Sequence, residues 1–148
     1  LLGPPGGGKT TLLRDLTRLL SGKGLRVGLA DERGEVAALW EGVPQMDVGE
    51  HTDVLEGCPK AQGLMMLLRG MNPQVLVCDE VTAPADCAAL EQCGGCGVKL
   101  LATVHAEKVD DLLLKPLYRD LLSRRLFTRA VVLDRQGAER YRVEELPC

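Results

Sequence analysis

Residues Gly3-Pro4-Pro5-Gly6-Gly7-Gly8-Lys9-Thr10 follow the spacing G-x-x-x-x-G-K-[ST] at every fixed position. Consecutive glycines let backbone N–H groups turn inward around phosphate oxygens, because no Cβ stands in the way. The run that follows, Thr11-Leu12-Leu13-Arg14-Asp15-Leu16, reads as a helix whose positive N-terminal end faces the same anion. In such a cradle Lys9 reaches the β- and γ-phosphates and the Thr10 hydroxyl binds Mg²⁺. The predicted phosphate loop comprises Gly3, Pro4, Pro5, Gly6, Gly7, Gly8, Lys9, Thr10 and Thr11, and its predicted ligands are ATP and Mg²⁺.

A second set of candidates stands where apolar runs end in polar groups. Val75-Leu76-Val77-Cys78 precedes Asp79-Glu80, and an acid at the carboxyl end of a buried strand sits where α/β folds bind ligands. Asp79 is placed to hold the Mg²⁺ shell through water. Glu80, one residue on, is placed to polarise an attacking water. Leu100-Leu101-Ala102-Thr103-Val104-His105 ends the same way, so Thr103 or His105 can sense a γ-phosphate from a neighbouring strand. Asp31-Glu32-Arg33 closes a third apolar run; Glu32 is a candidate second acid, and Arg33 can reach phosphate or a neighbouring subunit. Arg69, Arg119, Arg124, Arg125 and Arg129 are further candidates for an arginine acting in trans on the developing γ-phosphoryl charge.

These residues need a scaffold, and turn signals divide the chain into alternating helices and strands. Helices are expected over about 10–21, where Leu12, Leu13, Leu16, Leu19 and Leu20 form one face, and over 36–40, 59–70, 84–92, 108–114 and 116–123. Strands are expected over 25–30, 75–78 and 98–104, with a closing hairpin over 129–134 and 140–146 around Gln136-Gly137. Residues 41–57 are polar and turn-rich and read as a loop. Alternation of this kind indicates a mostly parallel sheet covered on both faces. The fold class expected is a three-layer α/β P-loop domain with an additional strand between the glycine-loop strand and the Asp79 strand. Leu1-Leu2 read as the end of a strand that starts upstream, so residues 1–148 are read as one domain of a longer protein.

The 148 residues are 45% hydrophobic and only 3% aromatic, so the core must be aliphatic. A net charge of −3 argues against a generally basic nucleic-acid binder. No apolar run approaches the ~20 residues that span a bilayer. Six cysteines lie scattered in apolar or helical contexts, which fits reduced thiols better than a disulfide framework. The single C-x-x-C, Cys93-Gly94-Gly95-Cys96, lacks the second pair a zinc ribbon needs and reads as a helix end.

Four stretches together, GPPGGGKTTLLRDL, VGLADERGEVA, DVGEHTDVLEGCPKAQGLMMLLRGMNPQVLVCDE and LLATVHA, resemble the stage III sporulation protein AA family of cytosolic P-loop ATPases. That family in turn resembles the hexameric ATPases of type II secretion and type IV pilus systems. The matching pieces are Asp31-Glu32, Leu68-Arg69 through Pro73, and Thr103-Val104-His105. The resemblance implies a homo-oligomeric motor, a hexamer by analogy with those ATPases. It would act from the cytoplasm at the inner face of a membrane, with the proteins of the sporulation channel as partners. The chain departs from the family at two places: Thr82-Ala83 stands where Gly-Arg is usual, and His51 stands where Arg is usual. Two other functions share such a core: a nucleic-acid-dependent ATPase, disfavoured by the scarcity of aromatic residues, and an ATP-gated scaffold without turnover, disfavoured by Glu80.

Overall fold

A computed structural model describes residues 1–4, 6, 8–134 and 140–146 of the chain. In chain order the elements are β1 (Leu2–Gly3), α1 (Lys9–Gly22), β2 (Val27–Asp31), β3 (Leu39–Trp40), β4 (Val43–Pro44), β5 (Thr52–Glu56), α2 (Lys60–Gly70) and β6 (Val75–Cys78). They continue with α3 (Pro84–Gly95), β7 (Lys99–Ala102), β8 (Val104–His105), α4 (Val109–Leu112), α5 (Pro116–Ser123), β9 (Arg129–Leu133) and β10 (Tyr141–Glu145).

The strands pair in the orders β10-β9-β1-β8 and β5-β2-β6-β7. Only Thr103 separates β7 from β8, so the two ladders are joined through one interrupted strand. All pairings in these ladders are parallel except β9 with β10. The joined strand β7/β8 lies between β1 and β6, which is the added-strand arrangement expected from the sequence. In the central strands the backbone is covered on both faces: β2 and β6 are buried at every residue, as continuous apolar strands in a parallel sheet must be.

Two aliphatic cores flank the sheet. Leu64 and Leu67 of α2, Cys87 and Leu90 of α3, Leu112 of α4, and Tyr118 and Leu121 of α5 fill one. Leu13 of α1 with Val36, Ala37 and Val48 fills the other. Close approach on the first face depends on Gly28 in β2. A Cβ there would lie 2.7 Å from Leu76 Cδ2 and 3.3 Å from Leu67 Cβ, so a side chain would push α2 off the sheet.

Three expectations are corrected. Residues 36–40 are not helical. Asp31, only 1% exposed, accepts hydrogen bonds from the N–H groups of Val36 and Ala37, and Arg14 donates to the carbonyls of Val36 and Glu35. These anchors turn the chain into the β3–β4 ribbon, where Ala38 and Glu41 take positive φ. Residues 41–57 are not all loop: β5 adds an edge strand parallel to β2, with Thr52 opposite Val27 and Glu56 opposite Asp31. Leu19 does not face the core but is 50% exposed. The C-x-x-C does close a helix: α3 runs to Gly95 and Cys96 is its C-terminal cap. The five described cysteines are free thiols; Cys148 and the Gln136-Gly137 turn lie outside the described residues.

Candidate phosphate and metal site

Parallel register brings the candidate residues to one edge of the sheet. Gly3, which opens the phosphate loop, stands opposite His105 across the β1–β8 ladder. Cys78 stands opposite Ala102 across β6–β7, which sets Asp79 beside Thr103. Ala30 stands opposite Cys78 across β2–β6, so Asp31-Glu32-Arg33 emerges from the same edge.

The loop holds its lysine in a folded-back position. Lys9 Nζ donates to the Gly3 carbonyl at 2.8 Å. The fit at position 3 is close, since a Cβ there would lie 3.2 Å from Lys9 Cγ and 3.4 Å from Leu133 Cβ. Gly8 caps α1 with φ 91°, a left-handed conformation that costs glycine little. Burial lowers the Lys9 pKa from its ordinary value, and the carboxylates of Glu80 and Asp79 oppose that shift. The lysine therefore shares an electrostatic environment with both acids. Thr10 is half-buried in the first turn of α1, Thr11 and Gly6 are exposed, and Pro4 is half-buried; Pro5 and Gly7 lie outside the described residues.

Asp79 and Thr103 form a tight unit. The Thr103 hydroxyl, fully buried, donates to Asp79 Oδ1 at 2.8 Å and accepts from the Glu80 N–H at 2.8 Å. The Glu80 N–H also lies 3.1 Å from Asp79 Oδ1. Val81 N–H donates to the Thr103 carbonyl at 3.0 Å, and the Tyr118 hydroxyl donates to the Val81 carbonyl at 3.2 Å. One oxygen of Asp79 is thus fixed by a hydroxyl with no rotational freedom left. Burial pushes the Cys78 thiol just below it up to about 12, so that thiol is neither a nucleophile nor a ligand at neutral pH.

Glu80 is held differently. Its carboxylate lies 3.7 Å from Arg33 Nη1 and 3.6 Å from His105 Nδ1, contacts too long for hydrogen bonds of ordinary strength. The side chain is about one-third exposed. Arg33, a candidate for action in trans, points in this chain at its own Glu80. Glu32 is not part of this cluster. It accepts from Lys60 Nζ at 2.7 Å, and Lys60, 5% exposed, also lies 3.9 Å from Asp86. Asp86 in turn accepts from the N–H groups of Thr82 and Ala83 at 3.0 Å each, satisfying the start of α3. Of the other arginines, Arg124 pairs with Asp120 and Glu91, and Arg129 lies 3.8 Å from Glu145; Arg69 lies on α2 at a groove against α3. Sequence reasoning overlooked Lys60. A lysine opening a helix normally reads as solvated, and its partners are remote in sequence.

The donor set fits a hard cation at low protein-ligand count. Among the described residues no group of three or more His, Cys, Asp or Glu side chains could enclose a metal. Mg²⁺ keeps several waters and takes one or two protein oxygens plus phosphate oxygens, so the Thr10 hydroxyl and the Asp79 carboxylate suit it.

Strand order, the glycine-rich loop that opens α1 and the acids at the carboxyl edge define a three-layer α/β protein of the P-loop fold. The chain belongs to the sporulation stage III protein AA family, whose model matches residues 1–144. It is 42% identical over 140 residues to stage III sporulation protein AA of Bacillus subtilis (strain 168), a match covering 91% of this chain and 46% of that protein. The chain therefore spans about half the length of that relative. Among solved structures, the VirB11 ATPase of the Brucella suis type IV secretion system, in complex with sulphate, superposes with TM-score 0.66 at 16% identity, covering 97% of this chain and 46% of that one. The pilus retraction motor PilT with bound ADP superposes with the same TM-score and identity over 99% of this chain and 47% of that one. Among the described residues no helix is long and apolar enough to cross a membrane.

Proposed function

We propose that this chain carries the catalytic domain of a Mg²⁺-dependent ATPase that works as a homo-oligomeric motor on a membrane-associated sporulation channel, from the cytoplasmic side. The observation that supports this best is the meeting, at one sheet edge, of the Lys9 loop with the Asp79–Thr103 unit and Glu80. In this reading Lys9 exchanges its bond to the Gly3 carbonyl for γ-phosphate oxygens. Thr10, and Asp79 through water, would hold Mg²⁺, which when bound would offset the negative charge of the phosphates. Glu80 orients a water and takes its proton as the water oxygen bonds to the γ-phosphorus and the bond to the bridging oxygen breaks, leaving ADP and phosphate. His105 stands beside Glu80 and can follow the loss of the γ-phosphate. The oligomeric motor and the channel partner rest on the relatives' names and on likeness of fold.

Titration of a fluorescent ATP analogue into wild-type protein and Lys9→Ala tests the first step. Wild type should bind in the presence of Mg²⁺, and the variant should lose binding by about 100-fold or more, the loss of a charge-assisted contact in a partly buried site. Equal affinities would sink the phosphate-loop reading.

A further inference from the structure

Lys60 is the first residue of α2 and is only 5% exposed. Both circumstances work against a cation. Burial strips its water, and the N-terminal end of a helix carries partial positive charge. Two carboxylates offset that cost: Glu32 accepts from Lys60 Nζ at 2.7 Å, and Asp86 Oδ2 lies 3.9 Å away. Replacing buried ion pairs by apolar side chains of similar volume is often neutral or stabilising. Stability alone therefore does not account for an ammonium at this point.

The two partners of Lys60 belong to the two loops that meet at the sheet edge. Glu32 follows β2 and immediately precedes Arg33. Asp86 stands in the first turn of α3 and accepts from the N–H groups of Thr82 and Ala83 at 3.0 Å each, two and three residues after Glu80. The contacts close a circuit. Arg33 meets Glu80 at 3.7 Å, and Glu80 leads through the backbone of 82–83, Asp86, Lys60 and Glu32 back to Arg33. The Arg33 side chain is largely exposed, so the backbone that carries it decides where it points. That backbone is held on both sides: Gly34 N–H donates to the Asp31 carbonyl at 3.1 Å, and Glu32 is tied to Lys60.

We infer that Lys60 is a positioning residue for the Arg33–Glu80 contact: its ammonium, bonded to Glu32 and facing Asp86, fixes the loop that carries Arg33 against the loop that follows Glu80. This rests on the reading in which Glu80 orients the attacking water, and it gives Glu32 the role of an anchor. Lys60 acts through Arg33, so its effect belongs to turnover. The Lys9 loop lies outside the circuit, and nucleotide binding is left to it.

The test is a double-mutant cycle on kcat and KM for Mg·ATP, read by phosphate release. Lys60→Met is made in wild type and in Arg33→Ala, and Glu32→Ala, which removes the same bond from its more exposed end, is made in both as well. In the wild-type background each should lower kcat about tenfold, short of the ~100-fold that a 1 Å misplacement near a reacting centre can cost, with KM unchanged. In the Arg33→Ala background neither should lower kcat further, because the group they position is gone. Glu32→Gln keeps an oxygen that accepts from Lys60 and should retain most of the wild-type kcat. Equal losses in the two backgrounds, a loss that falls on KM, or a ~100-fold loss in Glu32→Gln would each overturn the inference while leaving the ATPase standing. A wild type that binds and turns over no ATP would remove the proposed function and the inference together. Should Lys60→Met fail to fold, the Glu32→Ala cycle decides on the same outcomes.

Discussion

Asp79 and Glu80 are consecutive acids at the end of one buried strand, yet their surroundings are opposite. Asp79 is locked by a fully buried hydroxyl at 2.8 Å and by a backbone N–H at 3.1 Å. The ion-pair partners of the Glu80 carboxylate among the described residues are an exposed arginine and a half-exposed histidine, at 3.7 Å and 3.6 Å. A group that holds a metal shell gains from a fixed position, since any reorganisation on binding weakens it. A group that must take a proton from water has to bond that water, so partners already at full hydrogen-bond strength would compete. On the function proposed above, the difference suits Asp79 to position and Glu80 to chemistry, and it can be broken from either side.

The largest expected effect is on the Glu80 side. Glu80→Gln keeps the shape of the side chain and removes its charge. It should bind Mg·ATP normally and hydrolyse it at least ~100-fold more slowly, the usual scale for a positioned base. A coupled-enzyme assay of phosphate release beside an ATP-binding titration separates the two quantities. Near-normal turnover would shift the role to Glu32. The structure makes that residue a poor substitute, because its carboxylate is already bonded to Lys60 at 2.7 Å.

This contrast between neighbours was only half legible in the sequence. The four apolar residues Val75–Cys78 followed by two acids gave β6 to the residue, and the glycine spacing located the turn that opens α1, because both patterns are local and strongly constrained. The mostly parallel sheet was legible from alternation of helices and strands, whereas the added strand between β1 and β6 was expected from the P-loop fold type and not from any local pattern. The Thr103–Asp79 bond joins residues on different strands, so no spacing announces it; Thr103 stood out only as a polar residue ending an apolar run. Residues 36–57 were misread for a related reason. Their path is set by Asp31 and Arg14, which seize backbone groups of 35–37, and by an edge pairing with β2. Tertiary anchors of that kind override local propensity.

The next effect in size is on the Asp79 side. Thr103→Val keeps volume and branching but removes the hydroxyl that serves two partners. It leaves a carboxylate oxygen with one bond fewer in a buried corner, and a charge-assisted hydrogen bond contributes about 1.5–3 kcal/mol. The denaturant midpoint should fall by the equivalent of about 2 kcal/mol, and Mg²⁺ dependence of nucleotide binding should weaken with it. Thr103→Ser, which restores the hydroxyl, should recover most of both. A Thr103→Val protein as stable as wild type, with unchanged Mg²⁺ dependence, would erase the distinction between a fixed acid and a free one.

The smallest effect sharpens the same distinction from the opposite direction. Arg33 faces Glu80 as Thr103 faces Asp79, but its side chain is 63% exposed and the pair is 3.7 Å apart. Solvent screens such a pair, and ordering a long side chain offsets much of the attraction, so exposed ion pairs contribute no more than about 1 kcal/mol. Arg33→Ala should therefore leave the denaturant midpoint within that margin, well short of the Thr103→Val loss. Its influence should appear in turnover instead, because removing a cation from beside Glu80 changes the electrostatics of the group that meets the water. Mixing Arg33→Ala with Glu80→Gln protein then separates two sources of that influence. Recovery of activity in the mixture means that Arg33 serves a neighbouring subunit's site; no recovery means that it serves the Glu80 of its own chain, where the 3.7 Å contact places it. A stability loss as large as that of Thr103→Val would mean that Glu80 is anchored as firmly as Asp79. The two acids would then differ in position along the strand rather than in freedom.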